Sequence, residues 1–418
     1  MSDSAAKNER IRETYRITCA RHASMDCRVY EIKVVTSKLN RAQKESVNGI
    51  FREAKWCRNA ILAGNEPSNR KVLVKAGDHM EERELVHIGS QILQSVQASV
   101  RSEIKGLSTK KQKSEKVGAL KFKSVCNAVT LKQYKTTYSI DFEHNRISVQ
   151  KVKKPFYVRG LKQIPSDAEI ANARLIRKPN GLYFHITCFV PHVIRPHTGH
   201  MEGIDFGIGH NLTLTDGTTI DIRVSESKST KLLSKRMNRA FVKNGRKQSN
   251  NHYKRIGALR RSYQRDANRR KDLANKAIHD ILARNDFIAI QDEMIHNWHS
   301  GLFGKQVQHS AMGLIKAKLK NNFKVHVVDR RFPSTQVCPE CGCLTKHPLI
   351  KREYDCAHCG YHHPSRDQKS AQSILDEALK QVSVERRAQS PVEVNTAVSV
   401  IPITDVSVSP TKQEARSF

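Results

Sequence analysis

No run of apolar residues in this chain approaches the roughly 20 needed to span a bilayer. Its first sixteen residues, MSDSAAKNERIRETYR, lack the apolar core of a signal peptide. These absences exclude a membrane span and set the expectation of a cytoplasmic protein. Aromatic residues are sparse, at 6 % with two tryptophans, so the cores should be modest ones built mainly from aliphatic side chains. Acidic residues are the scarcest class relative to their counterpart. Forty Asp and Glu face 73 Lys and Arg, which leaves a formal charge of +33 on 418 residues. A chain so one-sided repels itself unless a polyanion is the working partner, and nucleic acid is the default candidate, with an anionic membrane surface as the alternative.

What the chain does contain is organised. From Tyr30, YEIKVV alternates as a strand does, and LNRAQKESVNGIFREAKWCRNAIL then carries apolar residues at helical spacing. A second helical stretch starts near residue 84 and gives way to the basic loop STKKQKSEK. Between 120 and 190 the period falls to two, with hairpins expected at YSIDFEHNRISVQKV and around Pro179, Asn180 and Gly181. This predicts a β-rich unit interrupted by an earlier helical insert. After a linker at 191–201, the strands GIDFGI, NLTLTDG and TIDIRV follow in quick succession. Residues 228–271 then hold sixteen Lys or Arg and one acid, Asp266, so one or two helices there should present a nearly unrelieved positive surface to phosphates. Lys235, Arg236, Arg239, Lys254, Arg255, Arg260, Arg261, Arg269 and Arg270 are the candidate contacts. A further helix, LANKAIHDILARN, the strand DFIAIQDE, a helix over about 310–321 and the strand KVHVVD complete the order β-β-β-α-β-α-β of an α/β domain. Past residue 384 the tail has no helical period and is expected to be disordered, its VSVIPITDVSV being the one stretch able to pair with an edge strand.

Ten cysteines in an intracellular protein argue against disulfides. Four form two C-x-x-C pairs, Cys338/Cys341 and Cys356/Cys359, whose spacing suits one tetrahedral zinc ion. Gly342 and Gly360 each follow a second cysteine, where a knuckle turns sharply and a residue without Cβ fits. Four thiolates leave no open coordination position, so the zinc should be structural. Cys343, His358, His362 and His363 are near enough to compete as ligands, and four cysteines also suit an iron–sulfur cluster, although a paired-knuckle ribbon is the commoner zinc arrangement. The remaining cysteines, Cys19, Cys27, Cys57, Cys126 and Cys188, together with Cys343, read as ordinary thiols that behave as small buried hydrophobes.

A second constellation is acidic. Asp205 lies within an apolar strand, where an unpaired carboxylate is costly to desolvate. Glu293 ends another apolar strand, and Asp367 opens a helix-like run eight residues past Cys359. Three acids from separated segments are what a divalent cation such as Mg²⁺ requires, although Asp367 alone would read as a helix N-cap.

In that order, GIDFGIGHNLTL, FIAIQDEMI, FPSTQVCPECG, YDCAHCG and RDQKSAQSI resemble the transposon-encoded TnpB (insertion-sequence OrfB) proteins and their descendants, the miniature type V CRISPR effectors. The resemblance is sharpest over 203–380 and extends more weakly to AKWCRNAIL and KVGALKFKS. It implies a ribonuclease-H-like RuvC nuclease domain with an inserted zinc ribbon, preceded by a β-barrel wedge domain that carries a helical recognition insert. The implied boundaries are an N-terminal extension with the first wedge strands at 1–39, the insert at 40–115, the rest of the wedge at 116–198, RuvC at 199–335, the ribbon at 336–362, the last RuvC helix at 363–384 and a tail at 385–418. It carries a catalytic, magnesium-binding trio onto Asp205, Glu293 and Asp367, with Asp205 the bridging ligand of a two-metal phosphodiester hydrolysis. Guide RNA and target double-stranded DNA become the implied partners, held in a basic channel where base pairing reads sequence. Trp56 reads as a core residue with base stacking as its alternative, and Arg366 as either a phosphate contact or a surface base. The family follows its last aspartate with Asn-Ala-Ala and a further Asn, whereas this chain has Lys369, Ser370 and Ser373 at those places. A cleavage-silent RNA-guided DNA binder and a guide-independent transposase or DNA binder therefore stay open beside the RNA-guided endonuclease.

Overall fold

Every second residue from Leu182 to Val190 is buried, and that alternation builds the first half of the chain. In the computed structural model, residues 2–114, 116–191, 198–243, 245–348 and 350–389 are described, and they divide into two compact units, 1–194 and 195–418.

The first unit runs α1 (Ser2–Ala23), β1 (Met25–Val34), α2 (Arg41–Leu62), β2 (Lys71–Ala76), β3 (His79–Glu84), α3 (Ser90–Gln112), β4 (Ala128–Leu131), β5 (Tyr138–Asp141), β6 (Arg146–Val149), β7 (Phe156–Arg159), β8 (Glu169–Lys178) and β9 (Gly181–Pro191). Seven strands form one antiparallel sheet in the order β4-β8-β9-β1-β7-β6-β5. The order leaves β4 and β5 as edges among the described residues, so the barrel expectation is corrected to a sheet that nearly closes. Tyr138 of edge strand β5 donates its hydroxyl to Ala171 O of β8 at 3.1 Å, beside the opposite edge. Ile50, Phe51, Ala54 and Cys57 of α2 pack on Ile32, Phe156, Phe184 and Ile186 of the sheet.

Local chemistry starts and joins these helices. Asn40 and Gln43 form a reciprocal capping box at the head of α2. Glu53, buried on α2, accepts from the backbone N–H groups of Val86, His87 and Ile88 and from His87 Nδ1 at 2.6 Å, which fixes the entry into α3. Two expectations change here. The insert at 40–115 is not purely helical, because β2 and β3 form a hairpin between its helices. Residues 1–39 begin with the 22-residue α1, which sequence periodicity did not reveal because its described side chains are almost all exposed.

The second unit runs β10 (Met201–Phe206), β11 (Leu212–Leu214), β12 (Thr219–Ile220), α4 (Lys228–Lys243), α5 (Asn250–Arg284), β13 (Phe287–Gln291), α6 (Gly304–His309), α7 (Met312–Leu319), β14 (Val325–Val328), β15 (Tyr354–Asp355), β16 (His362–His363) and α8 (Arg366–Gln389). Its sheet has the order β12-β11-β10-β13-β14, with β10, β13 and β14 parallel and β11 and β12 antiparallel. The parallel strands are covered on both faces, as parallel sheets generally are. Ile204, Ile288 and Ile290 join Ile278 and Ile281 of α5 and Ile315 and Leu319 of α7 on one side. Ala289 and Val328 meet Ile374, Leu375 and Ala378 of α8 on the other.

The run LANKAIHDILARN is the second half of the single 35-residue α5, not a separate helix. Asp266, the one acid of 228–271, is buried and draws α4 onto α5. It accepts from Thr230 Oγ1 at 2.6 Å and Ser227 N at 3.2 Å, and Thr230 also bonds Ser262. Helix α8 passes the expected end at 384 and continues to Gln389, so residues 385–389 are helical. The rest of the expected disordered tail, including VSVIPITDVSV, lies outside the described residues.

Candidate metal centres

Two tight turns of the same construction hold the cysteines. Gly342 N donates to Cys338 O and Gly360 N to Cys356 O, at 3.0 and 3.2 Å, and both glycines adopt positive φ, 71° and 75°. The ligand atoms of Cys338, Cys341, Cys356 and Cys359 all lie within 4.8 Å of one another. Cys338 Sγ is 3.6 Å from Cys359 Sγ and Cys341 Sγ 3.6 Å from Cys356 Sγ. A tetrahedral zinc with metal–sulfur bonds of about 2.3 Å needs edges of about 3.8 Å, so the four sulfurs fit the ion. Of the competing ligands, His362 and His363 are engaged elsewhere: His362 Nδ1 meets Asp355 Oδ1 at 2.6 Å and His363 Nδ1 accepts from Ser365 N at 3.1 Å. Of the other cysteines, Cys57 and Cys188 are buried, Cys126 and Cys343 half-buried, and Cys19 and Cys27 exposed, against the expectation of burial for that last pair.

The acids are arranged around the contact of α8 with β10. A Cβ on Gly203 would stand 2.1 Å from Ala371 O, so only glycine lets the helix lie this close to the strand. Ile204 and Phe206 point into the α5 and α7 core, which turns Asp205 toward α8. There Ser370 Oγ donates to Asp205 Oδ1 at 3.0 Å. Burial, reinforced by the charges of Asp367 and Glu293, pushes the Asp205 carboxyl up to about 7 against the help of Ser370 and Arg366. Glu293 is half-buried two residues past β13, and its carboxyl is also raised by burial. Its neighbour Asp292 takes Lys316 and Lys320, at 2.6 and 3.3 Å. Among the described residues the four cysteines are the only set of three or more metal-type side chains gathered within 4.8 Å. Asp367 and Glu293 act on Asp205 across the α8–β10 contact, and the three carboxylates do not converge that tightly.

Asp367 is not the cap of α8. Ser365 has that role, its Oγ accepting from Gln368 N at 3.3 Å, which leaves the Asp367 carboxylate free to face the sheet. Arg352 Nη1 lies 3.6 Å from Asp367 Oδ2, and a Cβ at Gly209 would sit 3.6 Å from Arg352 Nη2. A guanidinium carried by the ribbon thus stands between Asp367 and the turn that follows Asp205. Arg366, by contrast, is buried, donating Nη1 to Pro348 O and with Nε 4.0 Å from Asp367. It is neither a surface base nor open to a phosphate.

The departures from the family pattern are also placed. Gln368 Nε2 donates to Thr215 O at 3.0 Å, and Ser373 Oγ donates to Lys369 O at 3.0 Å. Lys369 is 1 % exposed; Nζ donates to Ser334 O at 3.0 Å and lies 4.0 Å from the centre of the Tyr354 ring. Burial pulls its ammonium down to about 8 against the opposing influence of Cys338, Asp205 and Cys356.

The basic candidates lie on α4 and α5. Lys235, Arg236, Arg239, Lys254, Arg255, Arg260, Arg261 and Arg269 are exposed. Arg270 is half-buried and occupied, donating to Gln308 O. Trp56 is half-buried against the core of its own unit, with Arg83 4.9 Å and Arg52 5.5 Å from the ring. Arg352, Ser370 and Lys369 were not singled out as site residues from sequence. For Ser370 a signal existed, since a residue three beyond Asp367 in a helix shares its face. Arg352 sits in an irregular ribbon segment that gives no such periodic clue.

The second unit is thus an α/β sheet whose last helix follows a four-cysteine cluster and sets Ser370 against Asp205 of the first strand. Residues 185–297 match the family model described as probable transposase, and residues 312–374 match the Cas12f1-like TNB domain. A putative RNA-guided DNA endonuclease of Streptomyces pristinaespiralis is 27 % identical over 252 residues, covering 58 % of this chain and 62 % of that protein. A Cas12f1 chain solved by cryo-EM with sgRNA and target DNA covers 84 % of this chain and 99 % of its own at 10 % identity, with a TM-score of 0.41. The two family models and the curated relative support a TnpB-like family for the chain.

Proposed function

We propose that the protein is an RNA-guided, magnesium-dependent DNA endonuclease of the TnpB type, with the second unit as a ribonuclease-H-like RuvC domain. The observation that carries the reading is Asp205: a strand carboxylate turned toward the first turn of α8, with Asp367 and Glu293 adding negative charge that nothing nearby neutralises in full. Such crowding is relieved by a bound cation. Magnesium held by Asp205, Asp367 and Glu293 would supply an activated water and a stabilised leaving 3′-oxygen for phosphodiester hydrolysis. Ser370 orients Asp205 through its hydroxyl, and Arg352 is placed to exchange Asp367 for a phosphate oxygen of the substrate. Zinc in the four-thiolate ribbon fixes the segment that carries Arg352. The exposed bases of α4 and α5 would neutralise phosphates of a guide RNA and its DNA heteroduplex.

Of the alternatives, the cleavage-silent binder draws on the altered residues after Asp367. Lys369 and Ser373 take up internal bonds and Ser370 adds a donor to Asp205, so the altered residues are accommodated beside that carboxylate, which favours the nuclease. The test is to purify the chain with nucleic acid retained and sequence the RNA. A discrete RNA whose 3′ segment directs binding to a matched duplex in EDTA supports guided recognition, whereas the absence of any discrete RNA favours the guide-independent DNA binder.

A further inference from the structure

The least expected residue of the second unit is a lysine inside it. Lys369 is 1 % exposed on the first turn of α8, yet no carboxylate lies within ion-pairing distance among the described residues. Its one hydrogen bond goes to a neutral carbonyl, Ser334 O, and its remaining partner is the face of Tyr354. An ammonium withdrawn from water without a counter-charge is costly, and a carbonyl with an aromatic face offsets only part of that cost. Tyr354 is itself fully buried, packed in one cluster with Cys338 and Cys356, and its hydroxyl donates to Gln336 O at 3.0 Å. Lys369 therefore lies against the inner wall of the ribbon, on the side of the two buried sulfurs. Four thiolates around one divalent ion carry a net charge of −2, while four thiols around no ion carry none.

We propose that Lys369 is the counter-ion of the four-thiolate metal centre, and that through it metal occupancy of the ribbon positions the first turn of α8. The consequence reaches the acidic site in one helical turn. Lys369 stands between Asp367, two residues before it, and Ser370, which holds Asp205. Arg366 N also donates to Arg352 O of the ribbon at 2.6 Å, so the same turn is tied to the ribbon by backbone and by charge. Lys369 touches no substrate and is a positioning residue. The inference rests on the zinc reading above.

The experiment uses the full-length protein with Lys369→Met, which keeps the length of the side chain and removes the charge, and Lys369→Arg, which keeps the charge. Zinc affinity is read by competition with a chromophoric chelator, and melting is recorded for the zinc-loaded and zinc-depleted forms. K369M should hold zinc at least about tenfold more weakly, as loss of a buried charge facing a dianion implies, with K369R nearer the parent. The melting temperature should fall in the loaded form of K369M and rise, or stay level, in the depleted form, where Asp205, beyond ion-pairing distance, is the remaining opposite charge acting on the lysine. A lysine that only fills space would shift both forms the same way. Zinc affinity of K369M within twofold of the parent, or parallel melting shifts, would overturn the proposal. Should K369M not fold, hydrogen exchange of residues 366–371 in the parent decides, with protection expected to fall on zinc removal and unchanged protection contradicting the coupling. A parent that binds no zinc at all refutes the ribbon reading itself, which separates the two failures.

Discussion

Asp205 is half-buried against α8, where its charge is poorly solvated, and its pH behaviour follows. Its folded value of about 7 stands above the 3.8 of an exposed aspartate. Between those values the folded protein holds a proton the unfolded chain has released, so metal-free stability should fall as pH rises from about 4 to about 7 and stay low above that. Asp205→Asn removes the ionisation. It should flatten that slope, raise metal-free stability at pH 8 by roughly 2 kcal/mol or more, and abolish cutting. Thermal melts from pH 4 to 8 of the zinc-loaded protein without added Mg²⁺ check the first two, and a steeper slope in the variant would contradict them. The two arginines beside Asp367 should separate. Arg352→Ala, 62 % exposed at its side chain, should slow cleavage by about 10²-fold while sparing the fold. Arg366→Ala, buried and bonded to Pro348 O, should cost about 1–3 kcal/mol of stability. Comparing single-turnover rates with melting temperatures distinguishes them.

At the scale of elements, the α4–α5 hairpin depends on one acid. Asp266→Ala strands Thr230 and the Ser227 N–H in a buried site, and should cost about 2–3 kcal/mol and expose the 245–249 segment to proteases. Lys235→Glu with Arg236→Glu should weaken nucleic-acid binding across sequences and lower its salt dependence by about two phosphate contacts, as read from titrations at several salt concentrations. These elements also show what was legible in advance. The period-two alternation of β9, the two C-x-x-C knuckles and the acids at Asp205 and Glu293 announce themselves because burial or ligand spacing repeats locally. Helix α1 did not, since its exposed side chains carry no apolar stripe. The sequence pattern divides the single α5, because its apolar contacts, Leu259, Ala274, Ile278 and Ile281, leave a long basic stretch between them. The carboxylate site is only half legible: sequence offers the acids one by one and Ser370 by its helical spacing from Asp367, whereas Arg352 reaches them through an irregular segment that no local pattern encodes.

At the scale of the whole molecule, the two candidate metals are separable in principle and joined at α8. A zinc-selective chelator should unfold the ribbon and loosen the first turn of α8, whereas withholding Mg²⁺ from zinc-loaded protein should stop chemistry and leave the melting temperature nearly unchanged. Equal damage from both would contradict the division of a structural from a catalytic site. The central claim is RNA-directed cutting at Asp205. Its most direct measurement incubates the protein, carrying its co-purified RNA, with a duplex matching that RNA and one that does not, with and without Mg²⁺, beside Asp205→Ala. Cleavage of the matched duplex in Mg²⁺ alone, lost in the variant while bound RNA is retained, is the predicted result. An intact matched duplex with the parent protein, or undiminished cutting by Asp205→Ala, would contradict it.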